Sequence, residues 1–161
     1  MLKVSFLLTV TAIVSLLGCA AEEEPMDTPE TVSAAEIWTR ISQEKPYTEY
    51  DFWPDVEGIM EGNAPHGAFI QTFVNNKALK PTEAGYSYGS LIVKENYMPD
   101  TTLAKLTIMY KVKGYDPQSG DWFWAVYRPD GTIEGEGKIQ SCIGCHSVRA
   151  DQDHVFLRSY K

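Results

Sequence analysis

Cysteine is scarce in this chain, with only three in 161 residues, at positions 19, 142 and 145. That count excludes a disulfide-built scaffold. Histidine is equally sparse, with His66, His146 and His154 alone. A structural zinc site needs four ligands, commonly two pairs, and there is no second CxxC to supply the other pair. Methionine is absent after His146. Positive charge is also short: 14 Lys and Arg stand against 22 Asp and Glu, a formal net charge of −8. Nucleic acid is excluded as a partner, because phosphate binding requires an excess of cations. A small molecule or a cationic protein suits this surface better.

Long hydrophobic runs are lacking except at the very start. Lys3, a largely apolar stretch from Val4 to Leu17, then Gly18 and Cys19 have the layout of a secretory signal. Such a run is short for an uncleaved membrane span. The ending Leu16-Leu17-Gly18-Cys19 resembles a bacterial lipobox. By that resemblance residues 1–18 are a signal peptide and Cys19 carries lipid, anchoring the chain at the periplasmic face of a bacterial membrane. Ala20 after the cysteine implies sorting to the outer membrane. Residues 19–32 are acidic, hold Pro25 and Pro29, and read as a flexible tether. Residues 33–161 make one domain, and 43% hydrophobic with 12% aromatic residues is enough for a core.

Ser33 followed by Glu36 forms a capping box, with Ile37, Trp38 and Ile41 as the apolar face of a helix ending before Lys45-Pro46. Residues 46–66 read as loop, with Phe52-Trp53 as buried anchors. The period then changes to two. Strands are expected at 67–75, 90–97, 104–112 and 121–128, with Leu106, Ile108, Tyr110 and Val112 on one face and Thr107, Met109 and Lys111 on the other. Residues 129–132, Pro-Asp-Gly-Thr, are a turn. The fold class is therefore α+β: an antiparallel sheet with an N-terminal helix and a C-terminal segment.

That last segment carries Cys142-Ile143-Gly144-Cys145-His146, with fifteen residues after it. CxxCH is the attachment pattern of c-type haem. Two thiols spaced by two residues reach the two vinyl groups on one porphyrin edge, and the following histidine supplies the proximal nitrogen. One covalently attached haem c is expected, on Cys142, Cys145 and His146. A thioredoxin-like pair would follow an early strand instead. Period-two strands from 67 to 128 exclude an all-helical haem bundle. The missing downstream methionine leaves the sixth iron position without the ligand that small electron-transfer cytochromes place there, so an open site is expected.

Three stretches together resemble the cytochrome P460 and cytochrome c′-β family: CIGCHSVRADQDHVF (142–156), GSLIVKE (89–95) and GDWFW (120–124). The resemblance covers roughly residues 46–160. It implies a sheet-rich haem protein and a homodimer, and the net negative charge makes a cationic cytochrome the expected redox partner. It also implies a role for Lys94. In cytochromes P460 a lysine at this motif position is joined covalently to the haem and supports oxidation of hydroxylamine. The c′-β members lack the link and bind nitric oxide or carry electrons. Tyr88-Gly89 stands here where the family pattern has Pro-x-Gly. Lys94 is either cross-linked or a strand lysine with its ammonium in water, sharing a face with Ile92.

Other residues fall around this centre. His66 either faces the far side of the haem or, more commonly for a histidine opening a strand, satisfies its own turn. Met60, Met98 and Met109 are candidate sixth ligands or core filler. Phe69, Phe73, Trp122, Phe123, Trp124 and Tyr127 are a candidate apolar wall. Glu95 and Arg128 are candidate distal polar groups, and Asp151, Asp153 and His154 are expected to cap the haem-binding turn.

Overall fold

The computed structural model describes residues 31–54 and 56–156. The leader, Cys19 and most of the expected tether lie outside the described residues. Helix α1 (Ala34–Thr39) begins at the expected box: Glu36 N–H donates to Ser33 Oγ at 3.3 Å, and Ser33 N–H donates to the Glu36 carboxylate at 2.9 Å. The helix continues as one π-type turn, Arg40–Glu44. So short a helix is unstable alone and is held by packing. Ala34, Ile37 and Ile41 are fully buried against the sheet. The Tyr127 hydroxyl donates to the Ala34 carbonyl at 2.7 Å, and the Ala34 N–H donates to Glu136 at 2.7 Å.

The sheet contains β1 (Asp51–Phe52), β2 (Met60–Glu61), β3 (Phe69–Val74), β4 (Leu91–Tyr97), β5 (Leu103–Lys111), β6 (Trp122–Tyr127) and β7 (Ile133–Gly137). Its order is β1-β3-β4-β5-β6-β7, with β2 also paired to β3, and every pairing is antiparallel. Helix α2 (Gln140–His146) follows β7 and runs into a 3₁₀ segment, Ser147–Gln152.

Alternation sorts the side chains to two faces. Leu91, Val93, Leu106, Ile108, Phe123, Ala125 and Tyr127 form one core with α1. Ile92, Met109, Trp122 and Trp124 form a second core with Val74, Tyr86 and Val155, and Ile139, Cys142 and Ile143 pack onto it. A sheet covered on both faces explains why β4 and β6 read as nearly continuous apolar runs.

Three strands were not anticipated. β1 and β2 are two residues each, too short to display a period. β7 has the sequence Ile-Glu-Gly-Glu-Gly and is mostly exposed, so it is set by pairing with β6 at the sheet edge and not by burial.

Candidate functional site

The second face of the sheet carries two adjoining cavities of about 400 and about 190 Å³. Pro65, His66, Lys94, Met109, Cys145 and His146 line both of them. Period two puts Ile92, Lys94 and Asn96 on this face of β4. The register sets Lys94 between Thr72 of β3 and Thr107 of β5, and both threonines line the cavities.

Helix α2 delivers the motif. Cys142 is half-buried and lines the smaller cavity, whereas Cys145 is exposed at the mouth of both, and neither is in a disulfide. Burial pushes the Cys142 thiol upward from its ordinary value. Among the described residues no three His, Cys, Asp or Glu side chains form a metal-holding group, which is what a tetrahedral zinc site would need.

His146 is buried between Trp124 and Phe156, at ring-centre distances of 4.7 and 5.0 Å. Its Nδ1 lies 2.7 Å from the carbonyl oxygen of His154. A carbonyl only accepts, so Nδ1 carries the proton and Nε2 keeps its lone pair. The chain returns for this contact through Asp153 and His154, both left-handed with φ of 54° and 63°. Those unusual conformations are held by the Asp153 side chain, which pairs with Lys111 and accepts from the Tyr86 N–H at 2.7 Å. The Asp153 carbonyl accepts from Trp122 Nε1 at 2.8 Å. Asp153 therefore docks the segment onto the sheet and does not cap the motif turn. His154 contributes its carbonyl, and Asp151 is exposed.

His66 sits in the loop between β2 and β3. Gly67 beside it has a φ of 91°, and a Cβ there would meet the Tyr97 carbonyl oxygen at 2.6 Å. This glycine lets the loop press onto the end of β4. The His66 side chain does not serve its own turn: it faces the cavities, with Nδ1 3.0 Å from Asn96 Oδ1. Burial first, then the charge of Lys94, lowers the His66 pKa from 6.5 to about 4. Burial also lowers that of His146. Both shifts favour the neutral ring, the form in which an imidazole ligates a metal.

Several expected residues lie elsewhere. Glu95 is on the opposite face, holding the hydroxyls of Tyr47 and Tyr97 at 2.7 and 2.6 Å. Arg128 is exposed and pairs with Glu134. Neither is a distal polar group. Phe73, Phe123 and Tyr127 belong to the α1 core, and Phe69 lines neither cavity. Trp122 packs on Tyr86, away from the cavities. Of the expected wall only Trp124 reaches the site, where Trp53, Ile70 and Phe156 join it. Met60 and Met109 line the larger cavity, whereas Met98 is half-exposed in a turn. Asn96 was missed, although its spacing of two from Lys94 places it on this face.

The arrangement fits a covalently held macrocycle. A mostly apolar space meets two free thiols on one helix turn and an oriented imidazole. The buried Trp124 Nε1 has no hydrogen-bond partner, an orphan donor of the kind that polar groups of a bound molecule satisfy. A family model described as cytochrome P460 matches residues 47–157. That range contains all seven strands and α2. No curated protein matches the chain.

Proposed function

Since this chain belongs to the cytochrome P460 family, we propose that it is an exported c-type mono-haem protein that oxidises a small nitrogen compound such as hydroxylamine. The family implies haem c, and in this reading Cys142 and Cys145 hold it through two thioethers while His146 ligates through Nε2. The bound haem supplies a redox-active iron able to take electrons from a small ligand. The protein's own work is to orient His146 through the His154 carbonyl, to keep water out with Trp53, Trp124 and Phe156, and to aim Lys94. Cationic Lys105 and Arg149, also at the cavities, complement the carboxylates that a haem carries. Electrons leave to a cationic redox partner drawn by the acidic surface.

The observation that carries this reading is Lys94 on the floor of both cavities that Cys145 and His146 line. That position puts the side chain beside any macrocycle held by the two thiols, which gives it a task there. The task proposed is the covalent link to the haem. The experiment is the absorption spectrum of the purified ferrous protein, with hydroxylamine oxidation assayed beside it. A strongly red-displaced Soret band, lost in Lys94→Ala together with turnover, supports the enzyme. An ordinary c-type spectrum unchanged by Lys94→Ala, without turnover, assigns the chain instead to nitric oxide binding or electron transfer. Export, lipid attachment at Cys19 and residence at the periplasmic face, in the outer membrane, belong to the same reading, and membrane fractionation of wild type against Cys19→Ser tests them.

A further inference from the structure

His66 and His146 reach the same two cavities from different elements, and both are wired alike. The Asn96 amide explains how. Its Nδ2 donates to the carbonyls of Lys94 at 2.9 Å and Lys105 at 3.2 Å, and to Thr107 Oγ1 at 3.2 Å. Carbonyls only accept, so the amide cannot be turned round. Its Oδ1 must face His66, and Oδ1 only accepts. The His66 Nδ1 therefore carries the proton, and Nε2 keeps its lone pair. Asn96 is 1% exposed, so a buried amide is committed to holding one loop imidazole.

The same logic fixes His146 through the His154 carbonyl. A ring N–H given to a fixed acceptor, with the other nitrogen free, is how metal-ligating histidines are oriented. Among the described residues no hydrogen bond engages Nε2 of either ring. The ring centres are 6.3 Å apart, and the ring planes are at 86°. A metal ion sits about 2 Å from each imidazole nitrogen, so two rings on opposite sides of one ion have centres roughly 6 Å apart. A histidine acting as acid or base on a molecule bound to that ion would stand further back, by the length of the molecule. The observed spacing leaves no such room.

We propose that His66 is the second axial ligand of the haem, binding through Nε2 opposite His146, and that a small ligand enters by displacing it. This rests on the haem attachment set out above and reverses the expectation of an open sixth position. Asn96 is then a positioning residue for His66. His66 decides how readily the iron is offered to a small molecule, because apparent affinity falls with the fraction of protein in the unligated form.

The test uses the full chain matured with haem-attachment machinery. Ferric absorption and electron paramagnetic resonance at neutral pH should show a low-spin, six-coordinate iron with the strongly anisotropic signal of crossed imidazole planes. His66→Ala should be high-spin, and added imidazole should return it to low-spin. If the unligated form is about a tenth of the wild type or less, nitric oxide should bind His66→Ala at least tenfold more tightly. A high-spin wild-type protein overturns the proposal, as does a low-spin spectrum that His66→Ala leaves unchanged. The wild-type spectrum alone decides should the variant fail to fold. Loss of haem from a denatured, haem-stained band would instead defeat the attachment on which the proposal rests.

Discussion

Lys111 of β5 and Asp153, seven residues beyond the CxxCH histidine, form a buried ion pair, their side chains 9% and 12% exposed. Lys111 also lies over the Trp122 ring, 5.0 Å from its centre. The residue after Asp153 gives its carbonyl to His146. The pair thus ties the orientation of the candidate proximal ligand to the middle of the sheet.

Removing one partner of a buried pair leaves the other charge uncompensated, at a cost of about 3–5 kcal/mol. Asp153→Ala should lose about that much in urea unfolding, and it should also strain the left-handed backbone at this position. Asp153→Asn keeps an acceptor for the Tyr86 N–H and tolerates that backbone, so it should lose less. Equal losses in the two variants would show that the lost charge accounts for the whole effect and that the acceptor and the backbone preference contribute nothing.

Glu95 and its tyrosines give a pH prediction. Burial first, then the hydrogen bond to Glu95 and its charge, raises the pKa of Tyr47 and Tyr97 above the ordinary 10.0. A group whose folded pKa is raised holds its proton in the folded state after the unfolded chain has lost it. The stability from these groups is intact below pH 10 and falls as pH rises beyond it. Denaturant midpoints should be flat on the approach to pH 10 and drop above. The double variant Tyr47→Phe, Tyr97→Phe should flatten that drop, and an unchanged slope would discount the cluster.

The sequence made β4, β5 and β6 readable because they alternate between two cores, with burial on both faces along β4 and β6 and over the second half of β5. The same alternation already separates Phe123 and Tyr127 from Trp122 and Trp124, and Glu95 from Lys94. Applying it strand by strand would have removed most of the wrong wall residues and the wrong distal carboxylate. It would also have added Asn96. β7 left no trace, since two glutamates and two glycines carry no apolar period. The His66 side chain was not readable either: its aim depends on the Gly67 backbone and on an amide thirty residues away. Trp53 and Phe156 reach the cavity through loop geometry, which no local period encodes.

Tyr127→Phe tests how α1 is attached. The Tyr127 hydroxyl is fully buried and spans from β6 to the first helical residue at 2.7 Å, and its ring lies 5.2 Å from that of Trp38. Deleting the oxygen keeps the ring contact and removes one hydrogen bond, so a loss of about 1 kcal/mol is expected. Hydrogen exchange in residues 34–39 should speed up more than in β4 or β5. A uniform change across the sheet would mean that the helix is not an independent layer.

The two thiols of the motif differ in surroundings, and that difference is measurable before any haem is attached. The thiolate is the reactive form, and access to it sets the rate. Cys142 is half-buried, and burial raises its pKa, whereas Cys145 is exposed at the cavity mouth. In the full chain produced without attachment machinery, iodoacetamide at mildly alkaline pH should label Cys145 first, with Cys142 following only slowly until urea is added. Mass spectrometry of the peptide holding both residues reads the order directly. Labelling of Cys142 first, or of both at one rate, would show that α2 does not hold its turn against the sheet in the haem-free chain. Preferential labelling of Cys145 means that α2 presents one thiol to solvent and keeps the other over the second core, where Ile139 and Ile143 pin the helix.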